Sequence, residues 1–317
     1  MGRSNAHSLF ILFLKPKQYY IYGHLFKSVM KILLAEYSVC AGLPTLANEG
    51  RAMLDTLRRS FGAAGCTVLV PRDFEADLLD LSHKCDCFLV IAPDAMLDKY
   101  TAGLEKNCIN LGCSSRVVRL CADKQETTET LLYNGIPVPR LVHEKGVKCV
   151  VKPRYGCDAE GIFISPGPVD REGLISTEYI EGEHLSVSLI GGQTMLPLTL
   201  NKQHIRVVES GGMAFIEYDG NEVPYEHPAK KEILAVAAKA GQMLGCRGLF
   251  GIDIVYGDKP YVVDVNPRPT TAVLALDKVL DANIADLILK ARFGTLPDSV
   301  GIKGHYSFTK SDLGRTS

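Results

Sequence analysis

Two short apolar runs, Gly248-Leu-Phe-Gly-Ile-Asp-Ile-Val-Tyr256 and Tyr261-Val-Val-Asp-Val-Asn-Pro-Arg268, flank a Gly-Asp-Lys-Pro turn, and each carries a carboxylate inside it. Runs of this length around such a turn predict a β-hairpin. Strand side chains alternate faces, so Asp264, Asn266 and Arg268 are expected on one face and Val263 and Val265 on the other. Asp253, between Ile252 and Ile254, can reach that first face from the neighbouring strand. Two carboxylates and an amide oxygen are hard ligands suited to Mg²⁺, and a nearby guanidinium suits phosphate oxygens. Taken alone, an Asp-x-Asn before proline is more often a structural hairpin end than a metal site. What accompanies it decides between the two.

The chain has 317 residues, 46% of them hydrophobic, which is enough for two or three compact domains. A formal charge of −1 gives no electrostatic footprint for nucleic acid. Ten cysteines are scattered through apolar runs such as Cys85-Asp-Cys87-Phe-Leu-Val90, without paired CxxC spacing. They read as reduced, buried thiols of a cytoplasmic protein. Residues 1–29 differ from the rest: Arg3, Lys15, Lys17 and Lys27 are present, acids are absent, and the apolar run at 8–14 is too short to span a bilayer. No small-residue cleavage site follows it, so neither a membrane anchor nor a signal peptide is expected. Met30 reads as the natural start, with the extension before it carrying no native structure.

From residue 30 to about 112, strand and helix patterns alternate: strands at 31–36, 66–70 and 85–92, and helices at 49–63, 77–82 and 97–108. That alternation predicts an α/β domain with a parallel sheet. The loop at 37–44 lacks the GxGxxG pattern, and its place after a strand makes it a candidate substrate wall. One helix is expected over 115–135, closed by Asn134-Gly135. Short strands follow at 149–153, 161–164 and 174–180, then 185–190, 194–201 and 212–218, and helices at 229–244 and 281–291. The glycine-bounded loop from Arg154 through Gly156 to Gly161 can fold over phosphates with its amides. Lys152 ends the apolar strand before that loop, where an unpaired ammonium would be costly and a phosphate partner is the better reading.

Lys124, Val-Val-Lys152-Pro before the glycine-bounded loop, Thr177-Glu-Tyr-Ile-Glu-Gly182, and Asp253 followed by Asp264-Val-Asn266-Pro-Arg268 resemble the ATP-grasp superfamily in order and spacing, over nearly all of residues 31–295. The wording of Glu49-Gly-Arg-Ala-Met-Leu54, Leu200-Asn-Lys-Gln-His204 and Asn266-Pro-Arg-Pro-Thr-Thr271 is most similar to the superfamily's carboxylate–amine ligases that join tyramine to L-glutamate in methanofuran biosynthesis. The resemblance implies an α/β (α+β) ATP-grasp fold preceded by a small parallel-sheet pre-grasp domain at 30–112. A lid subdomain would follow at 113–180, then a large subdomain at 181–300 and a tail at 301–317.

It further implies ATP with Mg²⁺ (or Mn²⁺), small-molecule acid and amine substrates, and a homodimer as a common assembly. Lys124, Lys152, Arg154, Gly156 and Gly161 would meet the phosphates. Glu178, Tyr179 and Ile180 would receive adenine, with Glu181 or His184 near the ribose, although many relatives carry an acid where this chain has His184. Asp253, Asp264 and Asn266 would hold the metal, with Asp264 standing where relatives usually carry Glu, and Arg268 would stabilise the transferred phosphoryl group. Asn201, Gln203 and Arg206 are the expected acid-substrate residues, and Arg206 could fork onto an α-carboxylate. His204, Glu209 and Glu217 are unranked candidates for taking the amine's proton, and Tyr37, Phe215, Tyr218 and Tyr225 are available as aromatic walls. Ligases of other substrates (dipeptide or D-amino-acid type), a phosphotransferase and a non-catalytic ATP-binding module remain the alternatives.

Overall fold

The computed structural model describes residues 19–21, 24–26, 29–42, 47–156, 161–210 and 213–313. In the N-terminal extension, expected to carry no structure, β1 (Tyr19–Ile21) pairs antiparallel with β2 (His24–Phe26) as a sheet of its own. The rest of the expectation for residues 1–29 lies outside the described residues.

Next come β3 (Lys31–Glu36), α1 (Tyr37–Cys40), α2 (Ala47–Ala63), β4 (Thr67–Leu69), α3 (Phe74–Ser82), β5 (Cys87–Ile91), α4 (Asp94–Leu104) and β6 (Ile109–Asn110). The four strands form a parallel sheet in the order β4-β3-β5-β6. Strand alternation divides β3 between two cores. Ile32 and Leu34 join Met53, Leu54, Leu57 and Phe61 of α2 on one side, while Leu33 and Ala35 join Phe74, Phe88 and Val90 on the other.

The helix expected over 115–135 is two helices, α5 (Ser115–Ala122) and α6 (Lys124–Tyr133). Asp123 breaks it: its backbone is extended and its Oδ1 accepts the Gln125 and Glu126 N–H groups, an N-cap in mid-pattern. Strands β7 (Cys149–Pro153), β8 (Phe163–Ser165), β9 (Leu174–Glu178), β10 (Glu183–Gly191), β11 (Met195–Ser210) and β12 (Met213–Val223) follow, then α7 (Lys230–Leu244) and the hairpin β13 (Gly248–Tyr256) and β14 (Pro260–Asn266). The chain continues through α8 (Val273–Val279), α9 (Ile284–Phe293), β15 (Tyr306–Thr309) and α10 (Lys310–Leu313); α8, β15 and α10 had no counterpart in the sequence reading.

One antiparallel sheet runs β14-β13-β10-β11-β12-β8-β7-β9, with β15 also on β12. Among the described residues Ala214 and Phe215 of the long β11–β12 hairpin pair with β8, and the Ile216 N–H donates to Ile162 O just before it. On the other side, Leu274, Leu276 and Ile288 of α8 and α9 share a core with Leu57 and Phe61 of α2. The parallel-sheet domain is thereby fused to the large part of the antiparallel sheet, each fully buried Leu or Phe contributing about 1.5–3 kcal/mol.

At the carboxyl end of β3 the fit is close. Glu36 is buried, its carboxylate accepts from Ser38 Oγ (2.8 and 2.9 Å) and the Val39 N–H (2.8 Å), and α2 passes over it at Gly50. A Cβ at Gly50 would stand 2.3 Å from both Glu36 Oε2 and Ser38 Oγ. Gly→Ala inside a helix normally stabilises by about 1 kcal/mol. Here Gly50→Ala is expected to destabilise, by about 1–3 kcal/mol of overpacking, read as a lower thermal midpoint. A raised midpoint would mean that α2 has room to lift.

Candidate active site

The hairpin builds the floor of a cleft. Asp253 lies opposite Asp264 and Gly251 opposite Asn266, but the ladder slips after Asp253, where Ile254 opposes Val262. Val263 is the extra residue, a β-bulge. This corrects the expectation that Val263 and Val265 share the far face: Val265 enters the core, while Val263 lines the cleft and its carbonyl accepts Lys152 Nζ at 2.8 Å. Asp253 Oδ1 accepts from Gln203 Nε2 (3.0 Å) and Oδ2 from Asn266 Nδ2 (3.1 Å). Its carboxyl opens partly to the cleft yet is deep among protein atoms. Burial first, and then the charge of Asp264, push it up to about 7. Burial pushes the Lys152 ammonium down to about 8; Asp264 opposes that shift and Lys124 adds to it.

Lys124 opens α6 and is buried, not a solvated helix lysine. Its Nζ donates to Gly156 O at 2.7 Å and stands 3.5 Å from Asp264 Oδ1 and 3.8 Å from Asp94 Oδ2. Arg268 Nε lies 3.7 Å from Asp94 Oδ1. Three cations and three carboxylates thus meet from the parallel-sheet domain, the linker helix, β7 and the hairpin. The cleft above them takes in about 1250 Å³, open solvent included.

A profile of the ATP-grasp domain matches residues 121–272. The tyramine–L-glutamate ligase of Methanocaldococcus fervens is 31% identical over 289 residues, spanning 82% of this chain and 93% of that protein. The chain belongs to the ATP-grasp ligase family. The tyramine–L-glutamate ligase of Methanocaldococcus jannaschii is 29% identical over 83% of this chain and 89% of its own. Among solved structures, an ATP-grasp superfamily protein from Archaeoglobus fulgidus superposes with a TM-score of 0.72 at 28% identity, covering 88% of this chain and 98% of that one. The ATP-complexed D-alanine–D-alanine ligase of Bacillus anthracis shares the fold, with a TM-score of 0.62 at 18% identity, over 84% of this chain and 97% of its own. Family membership makes this chain an ATP-binding, ATP-dependent carboxylate–amine ligase.

Within this ATP-grasp cleft, Lys124, Lys152, Glu178, Tyr179, Ile180, His184, Gln203, Asp253, Asp264, Asn266 and Arg268 line one space. The remaining expected site residues fall elsewhere. Arg154 turns to Asp123 (2.6 and 2.8 Å). Gly161 takes φ +73° on the far side of the glycine-bounded loop, whose residues 157–160 lie outside the described set. Glu181 is exposed outside the cleft, and Asn201 is wholly buried, bonded to Ser186, Ser188 and Thr199. Arg206 is exposed and held by Glu217 (3.7 Å) and Asp219 (3.6 Å). Parity along β11 accounts for this: Gln203 and Ile205 line the cleft, and Arg206 has the opposite parity. His204, Glu209 and Glu217 are not among the lining residues, and of the proposed aromatic walls Tyr218 alone is.

Asp94, Asn221, Thr270 and Thr271 were assigned no site role from the sequence, though all but Asp94 line the cleft and Asp94 pairs with two residues that do. Asp94 carried a usable signal, since it follows β5 at the carboxyl end of a parallel strand, where such sheets present ligand-binding loops. Among the described residues no group of three or more His, Cys, Asp or Glu converges as a metal cage. Asp253, Asp264 and Asn266 could therefore hold a divalent cation only together with other ligands such as phosphate oxygens. A cation there would also offset the charge that burial makes costly at Asp253.

A carboxyl held at about 7 in the fold, against an ordinary 3.8, binds its proton more tightly folded than unfolded. Its cost therefore grows as pH rises from near 4 to near 7 and stays constant above. Asp253→Asn, with the Gln203 amide turned to accept, is expected to raise the thermal midpoint of the ligand-free protein more at pH 8 than at pH 5. An equal or opposite change at the two pH values would overturn the assignment.

Proposed function

We propose that this ligase uses Mg²⁺-ATP to join the side-chain carboxylate of L-glutamate to tyramine, releasing ADP and phosphate. The observation that carries the reaction is the convergence of Lys124, Lys152 and Arg268 with Asp253, Asp264 and Asn266 in one cleft. The substrate pair rests on the tyramine–L-glutamate ligases that cover more than four-fifths of the chain.

In this reading the segment Glu178-Tyr-Ile180 offers backbone donor and acceptor to adenine, and His184, half-buried and lowered in pKa by burial, faces the ribose. Glu178 itself is bonded to Arg140 (2.7 Å), which holds the segment in place. Lys124 and Lys152 neutralise phosphate oxygens from fixed positions. A substrate carboxylate oxygen attacks the γ-phosphorus as its bond to the bridging oxygen breaks, and ADP leaves. The amine nitrogen then attacks the acyl carbon of the acyl phosphate, phosphate departs, and the nitrogen loses a proton. Mg²⁺ held by Asp253, Asp264 and Asn266 would offset charge on the phosphates. No protein nucleophile is required. The chain contributes in-line placement, charge compensation by Arg268, and exclusion of water from a labile acyl phosphate. Tyr218 offers the aromatic wall a phenol-bearing amine would meet.

The deciding experiment follows ADP release with Mg²⁺-ATP and L-glutamate, with and without tyramine, and identifies products by mass spectrometry. Tyramine-dependent turnover yielding a glutamyl–tyramine amide is expected. Nucleotide binding without turnover would reject this pair and direct the search to other acids and amines. Phosphorylation of the acid with no amine requirement would favour a phosphotransferase. In the same assay Arg268→Ala should lower kcat by about 10²–10³-fold while the KM for ATP changes far less, as for loss of a contact made chiefly in the transition state. A rise in KM alone would make Arg268 a ground-state binder.

A further inference from the structure

We propose that Asp94, contributed by the parallel-sheet domain, is a positioning residue that holds Lys124 and Arg268 in register and competes with the nucleotide's phosphates for them. The inference rests on reading Lys124 and Arg268 as phosphate-binding cations.

Asp94 is the first residue of α4, reached from β5 through Ala92 and Pro93. An acid there also suits the helix dipole, but that role does not require burial. Asp94 is 3% exposed, and its two oxygens diverge toward different cations, Oδ2 to Lys124 Nζ at 3.8 Å and Oδ1 to Arg268 Nε at 3.7 Å. Both separations exceed hydrogen-bond contact, so charge rather than a fixed bond joins them. Lys124 is already committed to Gly156 O at 2.7 Å and to Asp264 at 3.5 Å. Asp94 therefore sits where the parallel-sheet domain, the linker helix, the glycine-bounded loop and the hairpin converge.

Two consequences follow. A buried carboxylate beside the phosphate-binding Lys124 repels an arriving polyphosphate and weakens its ground-state binding. The same carboxylate aims Arg268, and interactions realised at the reacting phosphoryl group raise kcat. Removing the charge should separate the two effects. Asp94→Asn is expected to bind Mg²⁺-ADP about tenfold more tightly, on the scale of ordinary coupling between sites, and to turn over at least about tenfold more slowly. Asp94→Glu, which restores the charge on a longer arm, should recover part of kcat and lose the gain in affinity.

The test is titration of the full chain with Mg²⁺-ADP by calorimetry, alongside kcat and thermal midpoint, for wild type, Asp94→Asn and Asp94→Ser. Serine, smaller than asparagine and uncharged, serves as the second charge-removing variant should asparagine not fold; the N-cap of α4 is Pro93, which neither change touches. Tighter ADP binding with a lower kcat supports the proposal. Unchanged or weaker binding in a folded variant overturns it and leaves Asp94 as scaffold. The outcome is separable from the substrate assignment: a wild type that binds ADP but ignores glutamate and tyramine loses that pair while the affinity comparison still stands. A wild type that binds no nucleotide removes both.

Discussion

The site depends on charge compensation in a place with little water. Asp94, Asp253 and Asp264 stand against Lys124, Lys152 and Arg268, equal in number, with Asp94, Lys124 and Lys152 all under 9% exposed. Burying any one of these charges alone would cost several kcal/mol, so each is tolerable only because the others are present. The compensation is incomplete: Asp253 is driven up to about 7 and Lys152 down to about 8, both primarily by burial. A site at rest under such strain has the most to gain from a ligand that brings negative phosphate and a divalent cation together. The bulge at Val263 belongs to the same arrangement, because it turns a carbonyl that would otherwise serve the strand ladder toward the Lys152 ammonium.

Asp123 is the second constraint, and it works through geometry. It ends α5, caps α6 through two backbone N–H groups, and accepts from Arg154 and from Tyr155 Oη at 2.7 Å. Burial would raise its carboxyl, but these bonds outweigh burial and hold it down, at about 2. Its contribution to stability is therefore present at neutral pH and is lost only as pH falls below about 4 toward 2. Through Asp123 the start of the glycine-bounded loop is fastened to the residue immediately before Lys124. Lys124 in turn holds Gly156 O. The loop's near end is thus anchored twice to the linker before any nucleotide is considered.

Legibility in the sequence followed the range of the interactions. Strands and helices with clear periodicity were readable, among them β3, α2, β5, α7 and the β13–β14 hairpin, as was the order of the charged motifs along the chain. Events that replace one backbone partner with another were missed. The break at Asp123 carried a local signal that was passed over, since Asp123 with Glu126 three residues on is a helix-start pattern and the cap uses the nearby Gln125 and Glu126 N–H groups. The bulge at Val263 leaves no mark in a run of alternating residues. Arg154 is a cation beside a glycine-rich loop, which reads as a phosphate ligand until a carboxylate 31 positions away takes its guanidinium. Asp94 is the reverse case, an ordinary acid at a helix start whose partners lie 30 and 174 positions downstream.

The floor of the cleft limits how a substrate acid can be recognised. Leu185, Val187 and Leu189 of β10 pack into the core, so Ser186 and Ser188 face the other way. Asn201 of β11 donates to both serines (3.2 and 3.0 Å) and accepts from Thr199 (2.7 Å). These bonds fix Asn201 and the two serines against one another, and of the three Ser186 also borders the cleft. Two positions further on, Gln203 emerges into the cleft but is engaged with Asp253, and the next charged residue, Arg206, is turned out of the cleft toward Glu217 and Asp219. No guanidinium is therefore supplied by β11. A carboxylate entering this end of the cleft meets amides and hydroxyls, Ser186, Gln203, Asn221, Thr270 and Thr271, with positive charge supplied, among the described residues, by Arg268 and the two lysines behind it. The cations that would hold the nucleotide are thus the same ones that draw in the acid, which ties acceptance of the second substrate to the charge state left by the first.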